Sequence, residues 1–186
     1  MAAPSGGHNR VQDFDQVVLP HLDAAYNLAR WLVRNPADAE DVVQESCLRA
    51  VKFFSGYRGG DPRAWLLRIV RNTAYSLLER DRPAELNEEF NELLHVSSNP
   101  RSRSVEEGLL QANDADLLRV ALESLPVRFR EALILREFED LSYKQIAEVM
   151  EIPVGSVMSA LARGRQRLRA EFRRVGDKEV PRGLRR

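Results

Sequence analysis

The sequence predicts an all-α protein built from two small helical domains that are joined by a flexible linker. Apolar residues recur at helical spacing over residues 13–82 and again over 114–175, and sustained strand-like alternation is nearly absent. Residues 83–113 between them carry too few apolar side chains to offset the entropy cost of ordering. The 186 residues suffice for two small domains. We expect a flexible N-terminus at 1–12 and a basic tail at 176–186.

The first helix carries apolar residues at helical spacing from Phe14 to Leu28. It should end near Arg34, because Pro36 disfavours helical geometry in the residue before it. The second helix is expected to open at Asp38. Its predicted apolar stripe consists of Ala39, Val42, Val43, Cys47, Ala50, Val51 and Phe54.

A short loop containing Gly56, Gly59 and Gly60 separates the second helix from the third. Asp61 and Pro62 then form a start signal, with aspartate as the cap and proline in the first turn. The third helix should fade near residue 82. Its predicted apolar residues are Trp65, Leu66, Ile69, Val70, Ala74, Leu77 and Leu78.

The second domain shows the pattern of a helix-turn-helix. Two helices are expected at about 116–126 and 128–138, and Ser142 with Gln145 forms a capping-box pattern that opens the next one. A break at Pro153 precedes a last helix rich in small and basic residues. Its predicted buried stripe is Val157, Ala160, Leu161, Gly164 and Leu168. The pattern favours DNA binding, although a helical hairpin with a solvated arginine face would share it.

Charge is segregated along the chain, although 28 basic residues balance 28 acidic ones. Six arginines lie between Arg163 and Arg174, whereas residues 85–92 hold four glutamates and no basic residue. Such segregation predicts separate surfaces for separate partners, or two solvated helix faces. On the last helix, polar groups should reach base edges while arginines neutralise phosphates. The side chains expected to share or flank that outer face are Ser156, Ser159, Arg163, Arg165, Gln166, Arg167 and Arg169.

The composition also predicts where the protein works. Cys47 is the single cysteine and fits a reducing compartment. No apolar run approaches the roughly 20 residues of a membrane span, and residues 1–8 lack the apolar core of a signal peptide. We therefore expect a cytoplasmic protein.

Two parts of the chain resemble the extracytoplasmic-function (ECF) sigma factors of the sigma-70 family. Residues 125–168, beginning Leu-Pro-Val-Arg-Phe-Arg-Glu, look like their promoter-reading fourth region. Asp-Ala-Glu-Asp-Val-Val-Gln-Glu at 38–45 and Pro-Arg-Ala-Trp-Leu-Leu-Arg-Ile-Val-Arg-Asn at 62–72 look like their second region. The resemblance implies a sigma factor that takes core RNA polymerase to a limited, stress-type set of promoters. Region 2 would occupy 13–82 and region 4 would occupy 114–175.

The resemblance assigns residues to each partner. The second helix would bind the clamp helices of the polymerase's largest subunit, and the protein would also contact the polymerase flap. The residues expected to contact core polymerase are Asp38, Asp41, Gln44 and Glu45. Asp38 and Asp41 would equally stabilise the first turn of a helix through its dipole. The residues expected to contact the minus-thirty-five element are Ser156, Ser159, Arg163, Arg165, Gln166 and Arg167.

The loop at 53–62 would capture a base flipped from the minus-ten element, so it must supply stacking and hydrogen bonds in return. The residues that the resemblance implies for the minus-ten DNA are Phe54, Tyr57, Arg58, Arg68, Asn72 and Tyr75. Trp65 is expected to belong to the core, and Tyr75 would fit a core position equally well. Met158 and Ala160 occupy positions that relatives commonly fill with basic residues, which leaves the promoter sequence open.

The resemblance also implies an anti-sigma protein and a linker that enters the polymerase channels. A simple tether fits the linker composition equally well. A stand-alone helix-turn-helix regulator is the alternative function, and it would leave the first domain without a role. An enzyme is not expected. The three histidines are scattered, and no phosphate-binding glycine loop occurs, so we predict no metal, cofactor or small-molecule substrate.

Overall fold

The computed structural model describes residues 14–80, the first block, and residues 114–179, the second block, with side chains of the last helix described through Val175. Within these residues every regular element is helical, which confirms the all-α prediction. The first block contains α1 (Leu22–Val33), α2 (Pro36–Phe53) and α3 (Pro62–Arg80). The second block contains α4 (Asp114–Ser124), α5 (Val127–Leu133), a π-helical turn (Ile134–Phe138), α6 (Tyr143–Met150) and α7 (Val154–Glu179).

Several helix boundaries differ from the prediction. Residues 14–18 are helical, but a 3-10 turn at Leu19–His21, which contains Pro20, separates them from α1. The second helix begins at Pro36 and not at Asp38, because Asn35 acts as its cap and accepts a 3.0 Å hydrogen bond from the Ala37 amide. The last helix continues through Glu179, past the predicted start of the basic tail. The expectations for 1–13, 81–113 and 180–186 lie outside the described residues.

The three helices of the first block pack against one another in pairs. The buried line of α2 consists of Ala39, Val42, Ser46 and Ala50. The buried Ser46 hydroxyl has a hydrogen-bond partner, since it donates to the Val42 carbonyl at 2.6 Å. Val51 was predicted in the stripe but is 59% exposed, because it lies one residue beyond this line.

In the second block, α7 packs against α4, α5 and α6. The predicted capping box opens α6. The Ser142 backbone N–H donates to the side-chain oxygen of Gln145 at 2.7 Å, and the Ser142 hydroxyl accepts from the Gln145 backbone N–H at 3.3 Å. Gly164 lies where α7 approaches α5, and a Cβ there would come within 3.3 Å of Leu133. An alanine there would therefore require the Leu133 side chain to shift by a few tenths of an ångström.

The two blocks contact each other, which the sequence did not predict. Helix α3 packs against α6, and α1 packs against α5 and the π-helical turn. The buried apolar residues of both blocks form one continuous cluster. Across residues 14–80 and 114–179, none of the helices combines the length and apolarity that a membrane span needs.

Candidate polymerase and promoter interfaces

Helix α2 carries a mixed acidic and apolar face. Asp41, Gln44 and Glu45 are exposed, Asp38 is half-buried, and Glu45 pairs with Arg49 at 2.7 Å. Further along the helix, Leu48 is 67% exposed, and Val51 and Phe53 are also exposed. Leu48 was not singled out from the sequence, although an apolar residue outside the predicted buried stripe indicates an exposed apolar position. The exposed side of α2 is thus acidic in its first half and apolar in its second, and exposed apolar groups next to charged ones are typical of a protein-binding surface.

Aromatic rings organise the loop between α2 and α3. The Phe54 and Tyr57 rings are stacked with centroids 5.9 Å apart, and Tyr57 lies 5.0 Å from the Trp65 ring. The Tyr57 hydroxyl donates to the Gly60 carbonyl at 3.0 Å. Gly60 has φ +101°, a conformation that other residues rarely adopt. The loop is thus a preformed aromatic platform beside the exposed Arg58.

The residues predicted for minus-ten DNA do not all share one exposed surface. Arg58 and Arg68 are exposed, whereas Asn72 and Tyr75 are half-buried, and Asn72 accepts a hydrogen bond from its neighbour Arg71. The Tyr75 hydroxyl donates to Glu131 at 2.8 Å. Trp65 is half-buried and packs against the apolar core, as the sequence predicted.

Glu131 of α5 is the centre of a buried polar cluster between the blocks. Its side chain is fully buried, and Arg71 donates to it from Nε at 2.6 Å. The Arg71 guanidinium also lies 4.5 Å from the centre of the Tyr75 ring. Burial raises the pKa of Glu131, and the charge of Arg71 and the hydrogen bond from Tyr75 oppose that shift. The sequence contained no signal for this cluster, because its members lie about 60 residues apart.

A second cluster connects α1, α3 and the residue after the π-helical turn. Glu139 is 3% exposed and accepts hydrogen bonds from Asn27 and Arg63, both in the first block. Asp61 caps α3 by accepting from the Arg63 amide at 2.9 Å, and its other oxygen accepts from the Gln145 side chain. Asn27, Arg63 and Glu139 line a cleft that is open to solvent.

Arg34, which directly follows α1, and Arg130 of α5 both donate to backbone carbonyls at the end of α4. Arg130 is 2% exposed and donates to the Glu123 carbonyl at 3.1 Å and the Leu125 carbonyl at 3.3 Å. Arg34 donates to the same Glu123 carbonyl. Burial lowers the pKa of Arg130 to about 9, and the nearby charge of Arg34 adds to the effect.

The outer face of α7 carries most of the predicted minus-thirty-five residues. Ser159, Arg163 and Gln166 are exposed, while Ser156 is half-buried. Met158 is 53% exposed on this part of the helix, whereas Ala160 is 3% exposed. The departure at Met158 therefore lies on the outer face, and the one at Ala160 lies in the packed interior.

Two of the predicted arginines are engaged by other groups of the second block. Arg165 pairs with Glu137 at 2.7 Å, and both side chains are exposed. The Arg167 guanidinium lies 5.0 Å from the centre of the Phe129 ring. An exposed ion pair contributes little to stability, so Arg165 can exchange Glu137 for another partner at small cost. Across the described residues, His, Cys, Asp and Glu side chains form no group of three that could hold a metal ion.

Comparisons with known proteins match both blocks. Residues 17–83 match the family model for Sigma-70 region 2, and residues 115–168 match the model for Sigma-70, region 4. The chain is 34% identical to the ECF RNA polymerase sigma factor SigE of Mycolicibacterium smegmatis, over 89% of this chain and 63% of that protein. It is 35% identical to the RNA polymerase sigma-H factor of Pseudomonas aeruginosa, over 82% of each. The sigma factor RpoE of Bartonella quintana, solved with the anti-sigma factor NepR, has a TM-score of 0.66 at 25% identity over 87% of this chain and 98% of that one.

Proposed function

Because this chain belongs to the ECF RNA polymerase sigma factors of the sigma-70 family, we propose that it binds core RNA polymerase and directs promoter recognition, DNA melting and transcription initiation. Its targets are a limited, stress-type set of promoters. Residues 13–82 act as region 2, residues 114–175 act as region 4, and residues 83–113 link them. The protein acts in the cytoplasm and is not an enzyme.

One observation supports this function above the others, namely that both regions occur in one chain and in the order that sigma factors have. The region 4 match covers the helix-turn-helix, whose second helix presents Ser159, Arg163 and Gln166 to solvent. The region 2 match covers the mixed acidic and apolar face of α2. A stand-alone DNA-binding protein would not need the mixed acidic and apolar face of α2.

Transcription reconstituted from purified components tests the proposal directly. The protein is mixed with sigma-free core polymerase and genomic DNA fragments from its host, and transcript starts are mapped by sequencing. We expect starts that depend on this protein and share two spaced upstream motifs. A control sigma factor establishes that polymerase and template are competent. No new starts in that competent system would refute the function.

Footprinting distinguishes the alternative function, a stand-alone regulator. A sigma factor should protect promoter DNA weakly until core polymerase is added. Protection by the protein alone at physiological salt, with no further effect of polymerase, would favour the regulator instead.

We propose that the polymerase contact uses Asp38, Asp41, Gln44 and Glu45 on α2. Asp41→Lys should weaken binding to core polymerase by about tenfold or more, because the change reverses an exposed charge at the predicted contact. Asp23→Lys makes the same change at an exposed position of α1 and serves as the control. Fluorescence anisotropy of labelled protein titrated with core polymerase measures both. Equal affinities for the two variants would exclude Asp41 from the interface.

We further propose that an anti-sigma protein holds this factor inactive until an inducing signal arrives. The similar RpoE was solved in complex with an anti-sigma factor, NepR. Transcription from the dependent promoters should therefore be low in uninduced host cells and should rise when the inhibitor is deleted. Constitutive transcription, with no host protein that inhibits the reconstituted reaction, would contradict this regulation.

A further inference from the structure

The second block exposes apolar side chains on the helix that is proposed to read DNA. Val154 is 41% exposed and Met158 is 53% exposed, and both belong to the first five residues of α7. In a helix-turn-helix, the N-terminal residues of the second helix contact base edges in the major groove. The two apolar side chains therefore lie at the end of α7 where a promoter sequence would be read.

Helical geometry places Met158 at one edge of the outer face of α7. Successive residues are about 100° apart around a helix of about 3.6 residues per turn, so Ser159 projects between Met158 and Arg163. Val154 lies four residues before Met158 and shares its side of the helix. Ser159 and Arg163 are both exposed. The outer face thus has a polar part at Ser159 and Arg163, and an apolar edge formed by Val154 and Met158.

The major groove offers one kind of group that matches an apolar edge. Base edges there present hydrogen-bond donors and acceptors, and thymine alone adds an apolar group, its C5 methyl. Met158 carries no charge, and its unbranched thioether side chain adapts to irregular surfaces. The side chain of Val154 is shorter and stiffer. Met158 is therefore the better suited of the two to reach a methyl group on a base.

We propose that Met158 is a specificity-determining residue that contacts the C5 methyl group of a thymine in the minus-thirty-five element. This inference rests on the proposed sigma function and adds a base preference to it. Arg163 follows Met158 by five positions, or about 7.5 Å along the helix at about 1.5 Å per residue. At about 3.4 Å per base pair, the thymine should lie about one to three base pairs from the base that Arg163 contacts.

Deoxyuridine substitution tests this contact, because deoxyuridine differs from thymidine only in lacking the C5 methyl group. A promoter found by transcript mapping is prepared with single thymines of the minus-thirty-five element replaced, one at a time, on both strands. Competition binding measures the affinity of the holoenzyme for each template. One replacement should weaken binding about three- to fivefold, the effect of losing one buried methyl group. Arg163→Ala marks the base contacted by Arg163 as the position where base preference is lost.

Variants of Met158 assign the effect to this side chain. Met158→Leu keeps an apolar side chain and should keep the loss of affinity on deoxyuridine. Met158→Gln has the same length but a polar end, and it should bind the thymine and deoxyuridine templates equally. Leu19→Ala is the control, since it shortens an apolar side chain that is 54% exposed in the first block, and it should keep the ratio of the parent protein.

The ratio of the affinities for the two templates separates a base contact from a structural role. If Met158 only stabilised α7, Met158→Gln would weaken binding to both templates alike and leave the ratio of the parent unchanged. That unchanged ratio, or a parent protein with no sensitive thymine in the expected range, would overturn the proposal. Failure of the sigma function itself would appear earlier, as a lack of dependent transcripts from the parent protein.

Discussion

Replacing Ile146 with alanine should lower the free energy of unfolding by about 2–5 kcal/mol, the usual cost of a large-to-small change in a packed core. Ile146 is fully buried on α6, where the helix-turn-helix meets both α3 and α7. Because α6 packs against both α3 and α7, the cavity cannot be closed by moving one helix alone. The loss is also a large fraction of the stability of a small protein.

Chemical denaturation followed by circular dichroism measures this change. Lys144→Ala is the matched control, since Lys144 is exposed on the same helix and its replacement should change stability by no more than about 0.5 kcal/mol. Similar midpoints for the two variants would show that α6 does not pack as described.

Reversing the charge of Arg163 should reduce transcription from the dependent promoters by about 10- to 100-fold. This range corresponds to the roughly 1–3 kcal/mol that a good contact between a side chain and a base provides. Arg163 is exposed on the outer face of α7, together with Ser159 and Gln166. In Arg163→Glu, a carboxylate would face the phosphates and the acceptor groups of the major groove. The thermal midpoint should hardly change, because the side chain is not packed.

Arg173→Glu serves as the control for Arg163. Arg173 is exposed on the same helix, nearly three turns further towards the C-terminus and outside the predicted contact set. Its reversal should retain most of the activity in multi-round transcription with saturating core polymerase. If both variants lost activity equally, the effect would come from the overall charge of α7 and not from a specific contact.

The helical elements could be read from the sequence because their signals are local. The cap and proline at Asp61 and Pro62, and the capping box at Ser142 and Gln145, are defined by residues within a single turn. Where a local signal was misread, as at the start of α2, the competing cap was Asn35, only three residues from the predicted start. The family was recognisable for the same reason, since its motifs are contiguous runs of residues.

The exposure of individual side chains was less predictable. Val51 follows the apolar pattern of α2 and yet is exposed, while the polar Ser46 is buried with its hydroxyl bonded to a backbone carbonyl. Periodicity defines a face only to within about one residue, and at its edges the shape of the neighbouring helix decides. Leu48 and Met158 are two further apolar residues that are exposed.

The sequence by itself determined the helices, their caps, the helix-turn-helix and the membership of a sigma factor family. Only the tertiary structure decided that the two blocks pack together and that Glu131 and Glu139 receive arginines from the other block. The physical reason is separation along the chain. Helix formation depends on residues within a few positions, whereas the partners of these carboxylates lie 60 and 76 residues away. No periodicity or local motif can encode a contact between groups that only the packing of whole helices brings together.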